Sequence, residues 1–333
     1  MSHATESAMV AIRSAVRAEL TRCSAGEKVI VACSGGADSL ALSYALAKEA
    51  KKMALSVIGV TIDHQLQIGS RAQAEIVMAQ LHAMGIIDAE IRTVAVAVTD
   101  GVEASARRAR YEGLEAASKE HGATWVLLGH TRDDQAESVL LGLARGSGTR
   151  SLSGMAIRNG NYLRPLLAIT RGETVAACRE KGLTVWEDPH NSDRQYLRVR
   201  VREQALPALE ESIGPGISAA LARSAQLLRD DADALDSWAM REFDQIDWRL
   251  IEVDSLVRLP RAIRTRLLRM AIYAAGAPGG TISADHVGAV EALVTSWRGQ
   301  GEVSLPGGVK VSRKSGRLSL LPPSLESSEA PWI

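Results

Sequence analysis

The sequence predicts an α/β fold in which a parallel-sheet domain is followed by a mainly helical C-terminal domain with a small β-hairpin. Two observations support this fold class. Short β-branched runs alternate with helical apolar patterns over residues 28–129, and helical periods dominate after the helix-breaking triplet Gly214-Pro215-Gly216. At roughly 150 residues per domain, the length also suggests two domains. We therefore predict domain boundaries at 1–213 and 214–333.

The first strand is predicted at Lys28–Cys33, whose apolar, β-branched run is typical of a strand buried on both faces. A turn of small residues, Ser34–Ser39, and an Ala/Leu-rich helix, Leu40–Ala50, follow it. The alternation continues with strands at Ala54–Ile62, Ala89–Val96 and Thr124–Gly129 and helices at Arg71–Met84 and Glu103–His121. The carboxyl ends of parallel strands meet at one edge of a sheet, where ligands bind. We expect three polar clusters to meet at this edge: Ser34–Ser39, Asp63–Gln67 and His130–Glu137.

The C-terminal part has helical periods at Ser218–Phe243, Arg261–Ala275 and Ala284–Trp297. A hairpin is predicted from two apolar runs, Glu302–Leu305 and Val309–Arg313, which are joined by Pro306-Gly307-Gly308. Arg317–Leu321 follows as a third strand. The second domain is therefore expected to be helical with a small β element at its end.

The composition excludes several classes of protein. With 46% hydrophobic and 23% charged residues, the chain is neither disordered nor fibrous. No apolar run approaches the roughly 18 residues of a membrane span, and the first residues lack a secretory signal. We therefore expect a cytoplasmic protein with no membrane partner. The three cysteines, Cys23, Cys33 and Cys178, contain no C-x-x-C pair and predict neither a disulfide framework nor a Cys-rich zinc site.

The charge is unevenly distributed although the net charge is zero. Between Leu141 and Arg202 there are eleven basic and five acidic residues, which gives +6. A localised excess of this kind is typical of a phosphate-binding surface. A solvated strand or helix face would account equally well for the alternating Arg198, Arg200 and Arg202.

The loop Ser34–Ser39, with the sequence SGGADS, lies between a predicted strand and a predicted helix. Glycines there let backbone N–H groups close around an anion, and the helix N-terminus adds its positive end. The glycine spacing fits neither a P-loop with its lysine nor a dinucleotide fingerprint. A carboxylate beside phosphates, Asp38, is explained by a bridging Mg²⁺. The alternative is a tight turn in which Asp38 or Ser39 caps the helix.

A second cluster runs from Gly129 to Glu137. Asp134 and Glu137 are three residues apart, so on a helix they share a face and form a pocket for a cation. The alternative is structural, because Thr131 and Asp134 also have the spacing of a capping box. His130, at the end of a strand, is either a ligand contact or an ordinary loop residue.

Together these segments resemble the PP-loop superfamily of N-type ATP pyrophosphatases, whose fold is Rossmann-like (adenine nucleotide alpha hydrolase-like), and within it the tRNA(Ile)-lysidine synthetase family. The similarity begins at the SGGADS loop, spans roughly Val29–Leu209, and has a weaker match at the LPGG turn that begins at Leu305. The further matching segments are Ile62–Leu66, Gly101–Tyr111, Gly129–Gly148, Arg164–Leu167, Glu187–Asn191, Tyr196–Arg202 and Leu206–Pro207.

The resemblance implies a two-step ligase for the wobble cytidine of an isoleucine tRNA with a CAU anticodon. ATP first adenylates the C2 oxygen and releases pyrophosphate; the ε-amine of L-lysine then attacks C2 and expels AMP, which forms lysidine. ATP and Mg²⁺ are the implied cofactors, and the tRNA and L-lysine are the implied partners. The oligomeric state stays open, with a homodimer as one alternative.

The resemblance also implies roles for individual residues. ATP-binding residues would be Ser34, Gly35, Gly36, Ala37, Asp38 and Ser39, with Ile62 at the adenine and His130 at the nucleotide. Asp38 would hold Mg²⁺, and Asp134 and Glu137 would bind the lysine ammonium group. The catalytic set is then Asp38, Arg110, Asp134 and Glu137, where Arg110 stabilises developing negative charge or else lies on a solvated helix face. The candidates for tRNA phosphate contacts are Arg145, Arg164, Arg198, Arg200 and Arg202.

Three other functions remain open at this stage, one of them an amidotransferase-type PP-loop synthetase, which would bring a glutaminase or an ammonia route. A PP-loop tRNA thiolase adenylates the same kind of base but delivers sulfur, usually through paired cysteines or an iron–sulfur cluster. A non-catalytic tRNA-binding protein with a decayed nucleotide site is the third alternative. ATP-dependent release of pyrophosphate separates an enzyme from a binding protein.

Overall fold

The computed structural model describes residues 7–67, 69–97, 99, 101–146, 148–188 and 193–323. The chain divides into two units, Met1–Leu228 and Arg229–Ile333. This division falls inside the helix Ile217–Phe243, so the domain boundary inferred at 213/214 stays a prediction. The motif residues Pro189, His190 and Asn191 lie outside the described residues.

The first unit begins with a helix that is followed by alternating strands and helices. Its elements are α1 (Ala8–Leu20), β1 (Lys28–Ala32), α2 (Ala37–Lys52), β2 (Ser56–Asp63), α3 (Ser70–Met84), β3 (Asp88–Thr93), α4 (Val102–His121), β4 (Trp125–Leu127), α5 (Arg132–Ala144), α6 (Thr149–Leu152), β5 (Arg158–Asn159), β6 (Tyr162–Leu163), α7 (Arg171–Glu180), α8 (Leu197–Arg200) and α9 (Leu206–Ile213). A π-helical turn, Val201–Ala205, joins α8 to α9, and α10 (Ile217–Phe243) follows.

A six-stranded sheet with the order β3-β2-β1-β4-β6-β5 forms the centre of this unit. Five neighbouring strands in this order, β3, β2, β1, β4 and β6, run parallel, and β5 pairs antiparallel with β6 at the edge. The predicted parallel α/β sheet is therefore confirmed. Because the chain continues from β1 to β2 on one side and returns to β4 on the other, the loops after β1 and β4 diverge. A crevice between such diverging loops is the usual ligand site of an open α/β sheet.

Helices cover both faces of this sheet, as the apolar β1 run requires. Val29 and Val31 belong to a core that includes residues of α1, α2, α3 and α7, whereas Ile30 and Ala32 pack with Leu114 of α4 on the opposite face. Alternate side chains of one strand thus enter two different cores. This packing fixes the end of β1, and with it the start of the loop Ser34–Ser39.

Several boundaries and elements differ from the sequence predictions. Helix α2 begins at Ala37 rather than at Leu40, and β4 is shorter than Thr124–Gly129. Helix α1 was not predicted, although its buried residues recur at helical spacing: Met9, Ile12, Val16 and Leu20. The short strands β5 and β6 carry too few residues for a recognisable alternation.

Helix α1 is held to α2 by the carboxylate of Glu49, which is 1% exposed. Arg13 and Arg17 each donate from Nε to a different Glu49 oxygen over 2.7 Å, and the Lys52 ammonium lies 3.3 Å away. The hydrogen bond from Arg17 holds the pKa of Glu49 at about 2, below its ordinary value of 4.5. A single buried carboxylate thus joins the two helices.

We expect Glu49→Gln to lower the free energy of unfolding by about 1–3 kcal/mol at neutral pH, because the amide accepts weaker hydrogen bonds than the carboxylate. Since the folded pKa is depressed, the contribution of Glu49 is fully present above pH 4.5 and is lost as the pH falls toward 2. Urea unfolding of the unmodified protein and of Glu49→Gln, from neutral pH down to acid pH, measures this contribution. Glu75→Gln, which removes an exposed i,i+4 pair, is the control and should change little. An equal loss for both variants would contradict the role of Glu49.

The second unit, described by itself, combines helices with a four-stranded antiparallel sheet. Its elements are the end of α10, then β7 (Leu250–Glu252), α11 (Val253–Val257), α12 (Arg261–Ala274), α13 (Ala284–Thr295), β8 (Val303–Ser304), β9 (Lys310–Lys314) and β10 (Arg317–Leu321). The sheet order is β7-β10-β9-β8, so the predicted hairpin and third strand are confirmed and β7 adds an unpredicted edge. None of the helices in the described part of the chain has the length and apolarity to cross a membrane.

Candidate active site

The loop Ser34–Ser39 turns sharply from β1 into α2. Gly35 has a φ of +86°, and a Cβ there would lie 2.7 Å from Cγ2 of Val77, so glycine is required on both counts. Ser39 Oγ donates to the Gly36 carbonyl over 2.9 Å and accepts from the Ser34 amide over 3.1 Å. Because α2 starts at Ala37, the second half of the loop forms the first helical turn. The loop has the geometry of an anion-binding helix N-terminus.

The chain leaves β4 directly against the start of α2. A Cβ on Gly129 would lie 3.0 Å from the carbonyl carbon and oxygen of Asp38 and from the Ser39 amide nitrogen. This close approach places the second polar cluster, His130–Glu137, beside the loop Ser34–Ser39. Two of the three clusters predicted to share one sheet edge are thus brought together, and the third, Asp63–Gln67, lines a cavity together with Ser34 and Gly36.

We expect Gly129→Ala to disturb the loop, because its methyl group would meet backbone atoms that cannot rotate away. The cost should be about 1–3 kcal/mol of unfolding free energy, together with weaker nucleotide binding. Thermal unfolding and titration with a non-hydrolysable ATP analogue measure the two effects. Gly301→Ala is a matched control, since Gly301 also lies outside helices and strands and a Cβ there would meet nothing within 4 Å. Unchanged nucleotide affinity in Gly129→Ala would refute the proposed packing constraint.

Three carboxylates surround one guanidinium, that of Arg171. Its Nε lies 3.4 Å from Asp38 Oδ2, its Nη2 lies 3.1 Å from Asp134 Oδ1, and its Nη1 lies 3.8 Å from Glu137 Oε1. Burial by itself would lower the pKa of Arg171. The attraction of the carboxylates outweighs burial, so the pKa of Arg171 is raised above its ordinary value. Thr174, one turn further along α7, donates to Asp38 Oδ1. Helix α7 therefore supplies both donors to Asp38.

Asp134 serves the helix and the site with different oxygens. Its Oδ2 accepts from the Thr131 amide over 2.8 Å, which completes the capping box of α5, while Oδ1 accepts from Arg171. Asp134 thus caps the helix, as one interpretation of the sequence predicted, and also faces a cation, the guanidinium of Arg171. Burial alone would raise the pKa of Asp134, but Arg171 and the Thr131 amide outweigh it and lower the pKa. Asp134 is an anion at neutral pH.

Glu137 is fully buried and is paired with Arg202. Arg202 donates to both oxygens of the carboxylate, over 2.6 Å from Nε and 3.2 Å from Nη2. This bidentate geometry is the strongest form of a carboxylate–arginine contact. Arg202, which the sequence suggested as a tRNA phosphate contact, therefore lies in the carboxylate site itself.

Asp38 is a half-buried carboxylate at the start of α2, beside the loop that binds anions in the proposed arrangement. Burial raises its pKa above the ordinary value, against the opposing contacts with Thr174 and Arg171. Within the described residues, no group of three His, Cys, Asp or Glu side chains forms a metal site. Mg²⁺ is usually held by one or two carboxylates together with substrate phosphates. One carboxylate beside an anion-binding loop fits that donor set.

Two neighbouring cavities open at this edge of the sheet. The first, of about 280 Å³, is lined by Ile62, Gln73 and Trp186 among others. The second, of about 750 Å³, is lined by Asp38, Arg110, His130, Asp134, Arg171 and Arg202 among others. Ser34, Gly36 and Arg110 line both cavities. A nucleotide could therefore extend from the Ile62 side across the loop to the carboxylates.

His130 and Arg110 differ in charge at the second cavity. Burial and the nearby Arg110 lower the pKa of His130 to about 3, so its imidazole is neutral in the physiological range. Its Nδ1 has no hydrogen-bond partner among the described residues. Burial also lowers the pKa of Arg110, but a guanidinium keeps its charge. Arg110 thus presents a cation to the cavity, and His130 presents a neutral polar group.

The remaining arginines suggested by sequence occupy different environments. Arg145 and Arg200 are exposed, and Arg200 donates to the carbonyl groups of Arg194 and Gln195. Arg198 is half-buried and its Nη2 lies 3.3 Å from Ser138 Oγ. Arg164 is 6% exposed and donates to the Ala156 carbonyl over 3.1 Å. Their contacts with tRNA stay predictions.

Sequence reasoning missed the part played by Arg171 and Thr174. A signal was present, because Thr170 and Glu173 form a capping box that predicts a helix start, and Arg171 then occupies its first turn. A cation in the first turn of a helix is disfavoured by the helix dipole. Such a residue requires nearby anions, which here are the three carboxylates.

Comparison with known protein families assigns both parts of the chain. Residues 10–209 match the PP-loop domain, and residues 252–319 match the TilS substrate binding domain. Among solved structures, the U34-tRNA thiolase NcsA from Methanococcus maripaludis superposes with a TM-score of 0.57 at 19% identity, covering 68% of this chain and 81% of that one. At that identity the likeness concerns the fold, and it confirms the PP-loop architecture.

Curated relatives are similar over nearly the whole chain. The tRNA(Ile)-lysidine synthase of Thermobifida fusca is 52% identical over 309 residues, which is 92% of this chain and 95% of the relative. The enzyme of the same name from Streptomyces coelicolor is also 52% identical, covering 87% of this chain and 84% of its own length. That from Salinispora arenicola is 46% identical, with 95% and 97% covered.

Proposed function

The chain belongs to the tRNA(Ile)-lysidine synthase family, and from that premise we propose that it ligates L-lysine to C2 of the wobble cytidine in an isoleucine tRNA with a CAU anticodon. The reaction has two steps. ATP adenylates the C2 oxygen of cytosine and pyrophosphate leaves; the lysine ε-amine then forms a bond to C2 while the bond from C2 to the adenylated oxygen breaks and AMP leaves. The observation that carries this proposal is the anion-binding loop, with its half-buried Asp38, beside the two buried carboxylates of Asp134 and Glu137.

In the first step, the loop Ser34–Ser39 holds the phosphates that leave as pyrophosphate. Its backbone N–H groups and the N-terminus of α2 stabilise the negative charge that develops. Asp38 is the residue that would hold Mg²⁺. When bound, the ion neutralises charge on the phosphates. Arg110, which lines both cavities, adds a fixed positive charge beside the α-phosphate.

The adenosine lies on the other side of the loop, in the cavity lined by Ile62 and Trp186. The Trp186 amide donates to the Gly35 carbonyl over 2.9 Å, which ties this wall of the cavity to the loop. His130, being neutral, serves as a hydrogen-bonding group for the nucleotide rather than as a counter-ion for phosphate. Adenosine and phosphates thus occupy neighbouring cavities that share Ser34 and Gly36 of the loop.

In the second step, Asp134 and Glu137 bind the ammonium group of lysine. Both carboxylates are buried; Asp134 lines the cavity that contains the loop, and Glu137 pairs with Arg202, which lines the same cavity. In such a water-poor site an ammonium group gains more from a carboxylate than it would in bulk water. The amine must lose its proton before it attacks C2, and a carboxylate beside it is the natural acceptor.

The tRNA is proposed to approach over the basic segment. Arg145 and Arg200 carry exposed guanidinium groups suited to phosphate contacts, and Arg198 lines the carboxylate cavity. Arg164 is buried, and Arg202 is engaged by Glu137. The anticodon loop is single-stranded, so its wobble base leaves the stack at low cost.

Because the proposed substrate is a tRNA, we also propose that the protein acts in the cytoplasm. A homodimer stays a prediction from the sequence.

The thiolase alternative is not favoured. Cys33 and Cys178 are buried, and burial raises the pKa of both thiols, that of Cys178 to about 11. A thiol with so high a pKa is protonated at neutral pH and is a poor nucleophile. Sulfur transfer requires the reverse, and the family to which the chain belongs carries the name of a lysine ligase.

The test measures pyrophosphate release and transfer of labelled lysine with ATP, Mg²⁺ and a CAU-anticodon isoleucine tRNA transcript. We expect both products in a one-to-one ratio. A transcript with uridine at the wobble position is the matched control and should give neither. Pyrophosphate without lysine transfer would exclude lysine as the nucleophile, and the absence of both would identify a binding protein.

A further inference from the structure

The guanidinium of Arg171 fills the position that the proposed function gives to a substrate cation. It lies within 4 Å of all three carboxylates, Asp38, Asp134 and Glu137. These are the groups proposed above to bind Mg²⁺ and the lysine ammonium group. A substrate ammonium and this guanidinium are like charges and compete for the same oxygens.

Few carboxylate oxygens remain for a substrate while Arg171 is in place. Both oxygens of Glu137 accept from Arg202, and Asp134 Oδ2 accepts from the Thr131 amide. The remaining oxygen of Asp134, Oδ1, accepts from Arg171 over 3.1 Å. Lysine therefore gains its strongest contact with Asp134 when the Arg171 side chain has moved.

The backbone of Arg171 is fixed, whereas its side chain borders an open cavity. Its amide donates to Asp133 Oδ2 over 2.9 Å, and the Thr170–Glu173 capping box sets the start of α7. The side chain is 29% exposed and lines the cavity of about 750 Å³ that also contains the loop Ser34–Ser39. A rotation of the side chain therefore reaches the loop without any movement of α7.

The phosphates of ATP provide the alternative partner. A guanidinium presents a planar fork of donors that matches phosphate oxygens, and a triphosphate carries more negative charge than one carboxylate. The Nε of Arg171 already lies 3.4 Å from Asp38, a residue of the phosphate-binding loop. A bound triphosphate would thus compete directly with Asp134 for this cation.

We propose that Arg171 couples the two substrate sites: its guanidinium occupies the site formed by Asp38, Asp134 and Glu137 until the phosphates of ATP draw it away, so that L-lysine binds after the nucleotide. This inference rests on the proposed function. It assigns Arg171 a double role, as a competitor of lysine in the free protein and as a phosphate ligand in the nucleotide complex. Thermodynamic linkage then requires lysine to tighten nucleotide binding by the same factor.

The test is calorimetric titration of L-lysine into the full-length protein in buffer with Mg²⁺, with and without saturating α,β-methylene-ATP, which cannot release pyrophosphate. For the unmodified protein, we expect the nucleotide analogue to raise lysine affinity about tenfold or more. Arg171→Ala should bind lysine without the analogue, and the analogue should then change the affinity by less than about threefold. Arg171→Lys, which keeps the charge on a shorter side chain, should retain part of the coupling.

Arg179→Ala is the matched control, since it removes an exposed arginine of the same helix, and it should behave as the unmodified protein. Equal lysine affinity with and without the analogue in the unmodified protein would overturn the inference, as would unchanged coupling in a folded Arg171→Ala. Failure of Arg171→Ala to bind lysine under any condition would also overturn it and make Arg171 a lysine ligand. Lysine transfer by the unmodified protein, measured in parallel, shows whether the proposed function itself holds.

Discussion

Replacing Asp38 with asparagine is expected to reduce tRNA-dependent pyrophosphate release by about 10²–10⁴-fold, because a positioned charge that acts on the transition state is removed. Asparagine keeps the size of the side chain and still accepts a hydrogen bond from Thr174. The substitution therefore changes charge more than shape. Single-turnover pyrophosphate release with saturating ATP and tRNA measures the effect on the first step alone.

The matched control for Asp38→Asn is Asp88→Asn, which removes one exposed carboxylate at the start of β3 and should release pyrophosphate at the original rate. Thermal unfolding distinguishes a catalytic loss from a folding defect. Because burial raises the pKa of Asp38, its neutral replacement should not destabilise the fold strongly. Near-normal pyrophosphate release by a folded Asp38→Asn would remove Asp38 from the first step.

The features that the sequence predicted well are those encoded within a short segment. The loop Ser34–Ser39 follows a buried strand and contains the glycine that its φ of +86° requires, so its position and its conformation follow from adjacent residues. The same holds for Asp134 and Glu137, whose spacing on α5 places them on one face. Parallel strand order then brings both segments to one edge of the sheet.

What the sequence did not reveal depends on packing between distant segments. Arg171 meets Asp38 across 133 residues because α7 packs beside α2; the capping box places Arg171 in a first helical turn, but no local pattern indicates which anions it meets there. The basic segment shows the same limit, since its charge excess is visible in the sequence but its burial is not. Arg164 turns inward and Arg202 pairs with Glu137, whereas Arg145 and Arg200 remain exposed.

Substitution of Glu137 by glutamine should separate the two steps of the reaction. The amide cannot act as the counter-ion of an ammonium group, so we expect the second-order rate constant for lysine transfer to fall about 10²-fold or more. Glu137 lies on α5 outside the loop Ser34–Ser39, and both of its oxygens accept from Arg202. Single-turnover pyrophosphate release should therefore stay close to normal.

The interpretation of Glu137→Gln depends on Arg202, which would lose a bidentate anionic partner. A half-buried guanidinium without that partner destabilises the protein, and thermal unfolding should record the loss. The double variant Glu137→Gln with Arg202→Met removes this unpaired charge and should recover stability without recovering lysine transfer. Glu203→Gln, an exposed neighbour paired with Arg194, is the control and should preserve both steps. An equal fall in pyrophosphate release and lysine transfer would instead assign Glu137 to the adenylation step, because a residue that binds only lysine cannot slow a reaction that precedes lysine attack.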